Sequence, residues 1–323
     1  MYYGGGKRNR CGGDDVDREI IKPKALHPGD TIGVVAPAAA IEREYLERGV
    51  AALSAMGYRV KVSRHALDRA TILAGEDRVR ASEVAAFFAD PEVKAIFAAR
   101  GGYGCGRILP LIDFDALRAN PKIFMGFSDE TFLLNALVDR CGLVSFHGPM
   151  VAMDFAGGVD GAARAHLTSL LAGGSAGFEL PAPCVVRKGK TRGPLIGGCL
   201  SVVVAMLGTP WEPKFDGRIL FLEDTGEKAY RVDRMLTQLR QCGVFKRVAG
   251  IVFGAIHPVN GSEAERSLIA EFIACETADL NIPVLSGIEA GHGTDNYVLP
   301  FGLEAELDAA TKRLIFTESA VMP

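Results

Sequence analysis

At 323 residues the chain is long for one hydrophobic core, so two domains are expected. Hydrophobic residues make up 48% and charged residues 23%, an ordinary globular balance. The formal net charge of −3 argues against a nucleic-acid partner, because phosphate binding draws on a strong basic surplus.

No apolar run approaches the roughly 20 residues of a membrane-spanning helix, so no membrane partner is expected. The start, MYYGGGKRNRCGGDD, lacks the apolar stretch of a secretory signal, and a cytoplasmic location follows as an expectation.

In chain order, residues 1–27 open Gly-rich and charged without periodicity and read as a disordered extension. An N-terminal α/β domain is expected over residues 28–152. TIGVVAP, from Thr31 to Pro37, is a short apolar strand ended by proline. The run from Ile41 is an amphipathic helix stopped by Gly57, and YRVKVS alternates like a strand. DRVRASEVAAFFAD is helical, VKAIFAA and KIFMGF are strands, a helix follows Ser128, and LVSFH is the next strand. Strands alternating with helices imply a parallel sheet covered on both faces.

Residues 153–192 change composition, with repeated glycines and then ELPAPCVVRKGKTRG. They read as a linker holding one helix. A smaller C-terminal α/β domain is expected over residues 193–323. Its strands are GRILFLED, VAGIVFGAI, IPVLSGI and EAELDAATKRLIF, and its helices start near Ala229 and Ala264. The seven cysteines (Cys11, Cys105, Cys141, Cys184, Cys199, Cys242, Cys275) include no C-x-x-C pair and read as free thiols; neither a metal nor another cofactor is expected.

In an open parallel sheet, reactive groups belong at the carboxyl ends of strands. Ser128 stands there, where KIFMGF gives way to a helix. A serine can cap that helix, with Asp129 and Glu130 complementing its dipole. On a tight strand-to-helix turn it can instead project Oγ as a nucleophile, with the amide of Asp129 donating to an oxyanion. The second glycine of G-x-S-x-G is missing, since Glu130 occupies its place. Spacing alone leaves both readings open.

A serine hydroxyl needs a base. Of the six histidines, His292 lies between glycines after a strand, in AGHGTDN, and His147, in FHGPM, is the runner-up. Glu223, at the end of RILFLED, suits the carboxylate that orients an imidazole. Asp224 points the other way if the strand continues, and Glu227 lies further into the loop. ARGGYGCGR after VKAIFAA is glycine-dense but lacks dinucleotide and Walker spacing. Its amides could complete an oxyanion hole, and Cys105 within it could be a thiol nucleophile.

The blocks GDTIGVVAPA, ARGGYGCGRILPLIDFDAL, NPKIFMGFSDET, FHGPM, FLEDTGEKAYRVDRMLTQL and GHGTDNYVLPFG, in that order, resemble the LD-carboxypeptidase family of serine peptidases. That family trims murein peptides during peptidoglycan recycling and includes the microcin C immunity peptidases. The resemblance implies a Ser-His-Glu triad, with Ser128 as nucleophile, Glu223 as acid and His292 as base. It also implies an oxyanion hole from the amides of Asp129 and Gly102, a glutamine-amidotransferase-like parallel-sheet domain followed by a smaller α/β domain, and a homodimer.

Two positions depart from the family pattern: Phe127 stands where tyrosine is usual, and Cys199 where asparagine is expected. A carboxypeptidase must recognise a free carboxylate, for which Arg100, next to Gly101, is the economical choice. The expected activity is hydrolysis of an L-centre–D-alanine bond. The rivals are cleavage of an aminoacyl nucleotide, which would want an aromatic stacking platform but finds the single tryptophan, Trp211, outside the Gly-rich linker where one is expected, a non-catalytic binder of a small anion, and a cysteine enzyme using Cys105.

Overall fold

The computed structural model describes residues 18–323 apart from positions 160, 175 and 294. Fourteen strands are present among these residues: β1 (Thr31–Val35), β2 (Arg59–Val62), β3 (Val93–Ala98), β4 (Ile123–Gly126), β5 (Ser145–His147), β6 (Phe178–Pro181), β7 (Cys184–Arg187), β8 (Lys190–Cys199), β9 (Ile219–Glu227), β10 (Gly250–Pro258), β11 (Val284–Ser286), β12 (Leu299–Phe301), β13 (Glu304–Asp308) and β14 (Arg313–Phe316).

The first sheet has the order β12-β5-β4-β3-β1-β2. β1 to β5 run parallel, and β12 closes the edge antiparallel to β5. Its inner strands β1 and β4 are wholly buried, as strands covered on both faces must be. The helix Arg43–Ala55 buries Leu46, Gly49 and Leu53 along one stripe. Gly49 is required there by close approach, because a Cβ would meet the carbonyl oxygen of Val151 at 1.9 Å.

The second sheet has eight strands, in the order β6-β14-β13-β8-β9-β10-β11-β7. Its centre, β8 to β11, is parallel, and hairpin-like antiparallel strands flank it. The expected α/β architecture with two sheets is present. One apolar cluster runs through both, from Ile32 and Phe124 to Leu220, Ile251 and Leu314.

Three expectations need correction. Of the expected extension over residues 1–27, residues 1–17, including Cys11, lie outside the described residues, but residues 18–27 are built into the fold. Ile21 bridges Leu143, the amide of Ala25 donates to Met322 O at 2.7 Å, and Leu26 is fully buried. The apolar Ile21 and Leu26 outweigh the polar composition upstream of them.

The stretch 153–192, expected as a linker, supplies the helix Gly161–Leu171, both edge strands of the second sheet (β6 and β7) and the start of β8. Prolines and charges suit sheet edges, where backbone amides need no partner. EAELDAATKRLIF is a hairpin, β13 and β14, rather than one strand, with Lys312 at a φ of 59° in the turn.

Candidate active site

Ser128 follows β4 with a φ of 63°, a left-handed conformation that costs a non-glycine residue energy and tips its side chain out of the strand line. The chain then makes one 3₁₀ turn over Ser128–Glu130 before the helix Thr131–Ala136. Gly101, just past the end of β3, leaves room for this bend: a Cβ there would lie 2.8 Å from Ser128 Cβ and 3.1 Å from Oγ. Gly102 has a φ of 102°. Neither its amide nor that of Asp129 donates a hydrogen bond among the described residues.

The turn is braced from beneath. The Cys105 amide donates to Asp129 Oδ2 at 2.7 Å. Arg80, 1% exposed, donates to the carbonyls of Pro37 and Gly104 and pairs with Asp77, which anchors the glycine loop. Glu130 is fully buried, and burial, with Asp129 beside it, pushes its carboxyl well above the usual range. Burial and these two carboxyls likewise raise the Cys105 thiol, which removes the thiolate a cysteine nucleophile needs.

Glu223 lies near the end of β9 and is completely buried. His292 Nδ1 is 2.7 Å from its Oε2, and the His292 amide donates to the same oxygen at 3.1 Å. Gly291, at a φ of 90°, makes this approach feasible, because a Cβ there would sit 2.3 Å from Oε2. Burial works to raise the Glu223 carboxyl, but the imidazoles of His147 and His292 overcome it and bring it down to about 2.

An ionised carboxylate only accepts, so Nδ1 of His292 carries the proton and Nε2 is left as the basic nitrogen. For His292 burial disfavours charge, yet the hydrogen bond to Glu223 and the carboxylates of Glu223, Asp224 and Asp154 raise its pKa overall.

The other oxygen of Glu223, Oε1, faces His147 Nε2 at 3.7 Å, an ion-pair distance rather than a hydrogen bond. His147 is wholly buried, between the rings of Phe127, Phe221 and Phe301, and has no contact with solvent. Phe127 joins the two halves of the site, its ring lying 4.8 Å from that of His292 and 5.8 Å from that of His147. Ser128 is therefore one residue from a group in contact with His292, and the structure records no hydrogen bond between Ser128 Oγ and the imidazole among the described residues.

Asp224 turns away, accepting the amides of Ser201 and Thr225. Glu227 lies further along, 3.5 Å from Arg231. Arg100 Nη1 donates to Ala40 O at 3.2 Å. Trp211 is engaged by Phe114 and Arg140.

Sequence reasoning passed over the residues that set these groups in place. Asn296 accepts the Gly291 amide at 2.8 Å and donates to Asp154 Oδ1 at 3.2 Å, which shapes the loop that carries His292. Asn135 bonds both the amide and the carbonyl of Gly197, at 3.2 and 2.8 Å, and Thr131 Oγ1 accepts the Cys199 amide at 3.0 Å. The helix behind Ser128 is thereby tied to the second sheet, which bears Glu223. At Cys199 the contact with this helix is made by the backbone. Asn296 belongs to the quoted GHGTDN block, so a signal was present; for Asn135 there was none.

A strained serine at a strand end and a buried Glu–His pair are parts of the kind from which serine hydrolases build their sites. Comparison with known proteins narrows this. The family model described as the LD-carboxypeptidase N-terminal domain matches residues 32–148, and that described as the C-terminal domain matches residues 192–307. The chain belongs to the LD-carboxypeptidase family, a family of peptidases.

A Bacillus subtilis protein named as a probable murein peptide carboxypeptidase is 37% identical over 300 residues, covering 91% of this chain and 93% of its own. The microcin C7 self-immunity protein MccF of Escherichia coli is 27% identical, covering 91% and 94%. The crystal structure of a muramoyltetrapeptide carboxypeptidase from Oxalobacter formigenes superposes with a TM-score of 0.77 at 31% identity, covering 88% of this chain and 97% of that one.

Proposed function

We propose that the protein is a serine-type LD-carboxypeptidase that releases D-alanine from the L-centre–D-alanine bond at the end of murein tetrapeptides. The observation that carries this reading is the pairing of a positive-φ serine beside two undonated amides with a buried Glu223–His292 hydrogen bond. Relatives named for murein peptide hydrolysis support the substrate class.

In this mechanism His292 Nε2 takes the Ser128 proton as Oγ attacks the scissile carbonyl carbon. The amides of Gly102 and Asp129 hold the oxyanion. The imidazolium, stabilised by ionised Glu223, then protonates the leaving nitrogen as the C–N bond breaks and D-alanine departs. Water, losing a proton to His292, attacks the ester and returns Ser128 to the free hydroxyl.

Arg100 and Gly101 line the approach to the substrate. The reading carries with it a cytoplasmic homodimer acting in peptidoglycan recycling, with no nucleic-acid partner; a single-chain mass in sedimentation would remove the dimer. An aminoacyl-nucleotide substrate is the second reading, supported by the likeness to MccF. It is weakened by Trp211, whose ring is already occupied by Phe114 and Arg140.

The test is mass spectrometry of a murein tetrapeptide after incubation with the protein, beside an aminoacyl sulfamoyl-adenylate. Loss of one alanine from the peptide is expected, and Ser128→Ala should lower kcat by on the order of 10⁴–10⁶. Undiminished release by Ser128→Ala sinks the mechanism, and cleavage of the adenylate alone sinks the substrate assignment.

A further inference from the structure

The carboxylate of Glu223 is served on one side only. Its Oε2 takes two donors, the ring nitrogen and the amide of His292, at 2.7 and 3.1 Å. Its Oε1 has no hydrogen-bond partner among the described residues, although the whole side chain is buried. An oxygen that shares a negative charge in a dry interior is costly to leave unpaired.

The group that faces it is His147. Its Nε2 lies 3.7 Å from Oε1, and both side chains are wholly buried. Neither nitrogen of this imidazole has a hydrogen-bond partner among the described residues. Two orphaned polar atoms therefore face each other away from water. The ring is otherwise set among aromatic carbon, with the ring centres of Phe221, Phe301 and Phe127 at 5.1, 5.5 and 5.8 Å.

The proton has one good place to be. Carried on Nδ1, it leaves the lone pair of Nε2 aimed at an ionised oxygen, which repels it. Carried on Nε2, it aims a donor at the same oxygen. The separation exceeds the upper end of the N–H···O range by about 0.5 Å, a gap that a small rotation of either side chain closes.

The contact also joins the two sheets. His147 ends β5, where it pairs with Gly126 of β4, two residues before Ser128. Glu223 pairs with Cys199 of β8, in the second sheet. Phe127, between Gly126 and Ser128, lays its ring against both imidazoles. A bond from His147 to Glu223 fixes the acid, and through it His292, against the strands that present the serine.

We propose that His147 is a positioning residue whose Nε2–H donates to Glu223 Oε1, so that one carboxylate is held between two imidazoles, one that reacts and one that does not. Its part in turnover rests on the serine-peptidase reading, whereas the bond itself does not.

The bond is read on the wild type by labelling with [15N]histidine and recording two-bond 1H–15N correlations. The ring of His147 is assigned as the signal missing from His147→Leu. A protonated Nε2 is expected at neutral pH. A bare Nε2, with the proton on Nδ1, overturns the proposal whether or not the protein proves to be a peptidase.

Turnover of a murein tetrapeptide then separates positioning from packing. His147→Leu keeps an apolar filling between the phenylalanine rings but has no donor. Its kcat should fall about ten- to a hundredfold with KM changed by less than about twofold, the pattern of a misaligned catalytic group. His147→Gln carries an amide nitrogen as many bonds from Cα as Nε2, and it should recover most of the lost kcat. A filling role alone predicts the reverse order, with the leucine variant the more active. Wild-type kcat in the leucine variant, or a glutamine variant slower than leucine, overturns the positioning role. Thermal unfolding of both variants separates a lost donor from a lost fold. Failure of the peptidase reading shows separately, as absence of D-alanine release by the wild type, and the nitrogen measurement still decides the bond.

Discussion

The two halves of the site are built on different principles. The Ser128 half is local: strand, bend and helix follow within fourteen residues of Ile123, and the strain is held in one backbone dihedral, the φ of 63°. The Glu223–His292 half is nonlocal, joining residues 69 apart in sequence across a fully buried carboxylate. A bend can be specified by a few neighbouring residues. A buried charge needs partners from elsewhere, because desolvation without them would neutralise it.

The largest effect that would break this contrast is expected from Glu223→Gln. The amide no longer fixes the His292 tautomer, and kcat should fall by about 10⁴. The pH profile should move as well. The base works as neutral imidazole, so wild-type kcat/KM is lost as pH falls through the His292 pKa, which its carboxylates hold above the ordinary 6.5. With the Glu223 charge gone, burial dominates and the acid limb should shift to lower pH. A limb that stays in place would show that Glu223 does not set the charge of His292.

Gly291→Ala comes next. The new methyl must displace Glu223 Oε2 from a position 2.3 Å away, at a φ of 90° that alanine avoids. Misplacing the pair should cost about 10² in kcat and about 1–3 kcal/mol in stability, read by turnover and by urea unfolding. Wild-type kinetics would mean that the loop does not hold the imidazole.

The smallest effect on stability sharpens the contrast from the other side. Ser128→Gly should abolish turnover yet raise stability by about 1 kcal/mol, because glycine adopts the bend without strain. A glycine variant less stable than Ser128→Ala would show that the bend is not strained.

Much of the first sheet was legible. TIGVV, VKAIFA and KIFMG are apolar runs bounded by turn residues, and they form β1, β3 and β4 within a residue or two. The second sheet was read less well where its edges carry proline and basic residues, as at Pro181 and Arg187, because composition does not distinguish an edge strand from a linker. Ser128, Glu223 and His292 were all legible as polar groups at strand ends. The structure hydrogen-bonds the last two and sets Phe127, the neighbour of the first, against the imidazole.

Arg80 shows the opposite case. It lies in the charged run DRVRASEV, where nothing in the sequence sets it apart from Arg78, yet it is buried beneath the glycine loop that flanks the serine.

By itself, the sequence determined the alternation of strands and helices, the strand ends at which polar groups emerge, and the bend after KIFM. These depend on hydrophobic period and on neighbours in the chain. Only the tertiary structure decided that Glu223 lies between His292 and His147, and that Asn135 ties one sheet to the other. Those pairings span tens of residues, and they form because a buried polar or charged group must find its partner wherever the packed chain provides one.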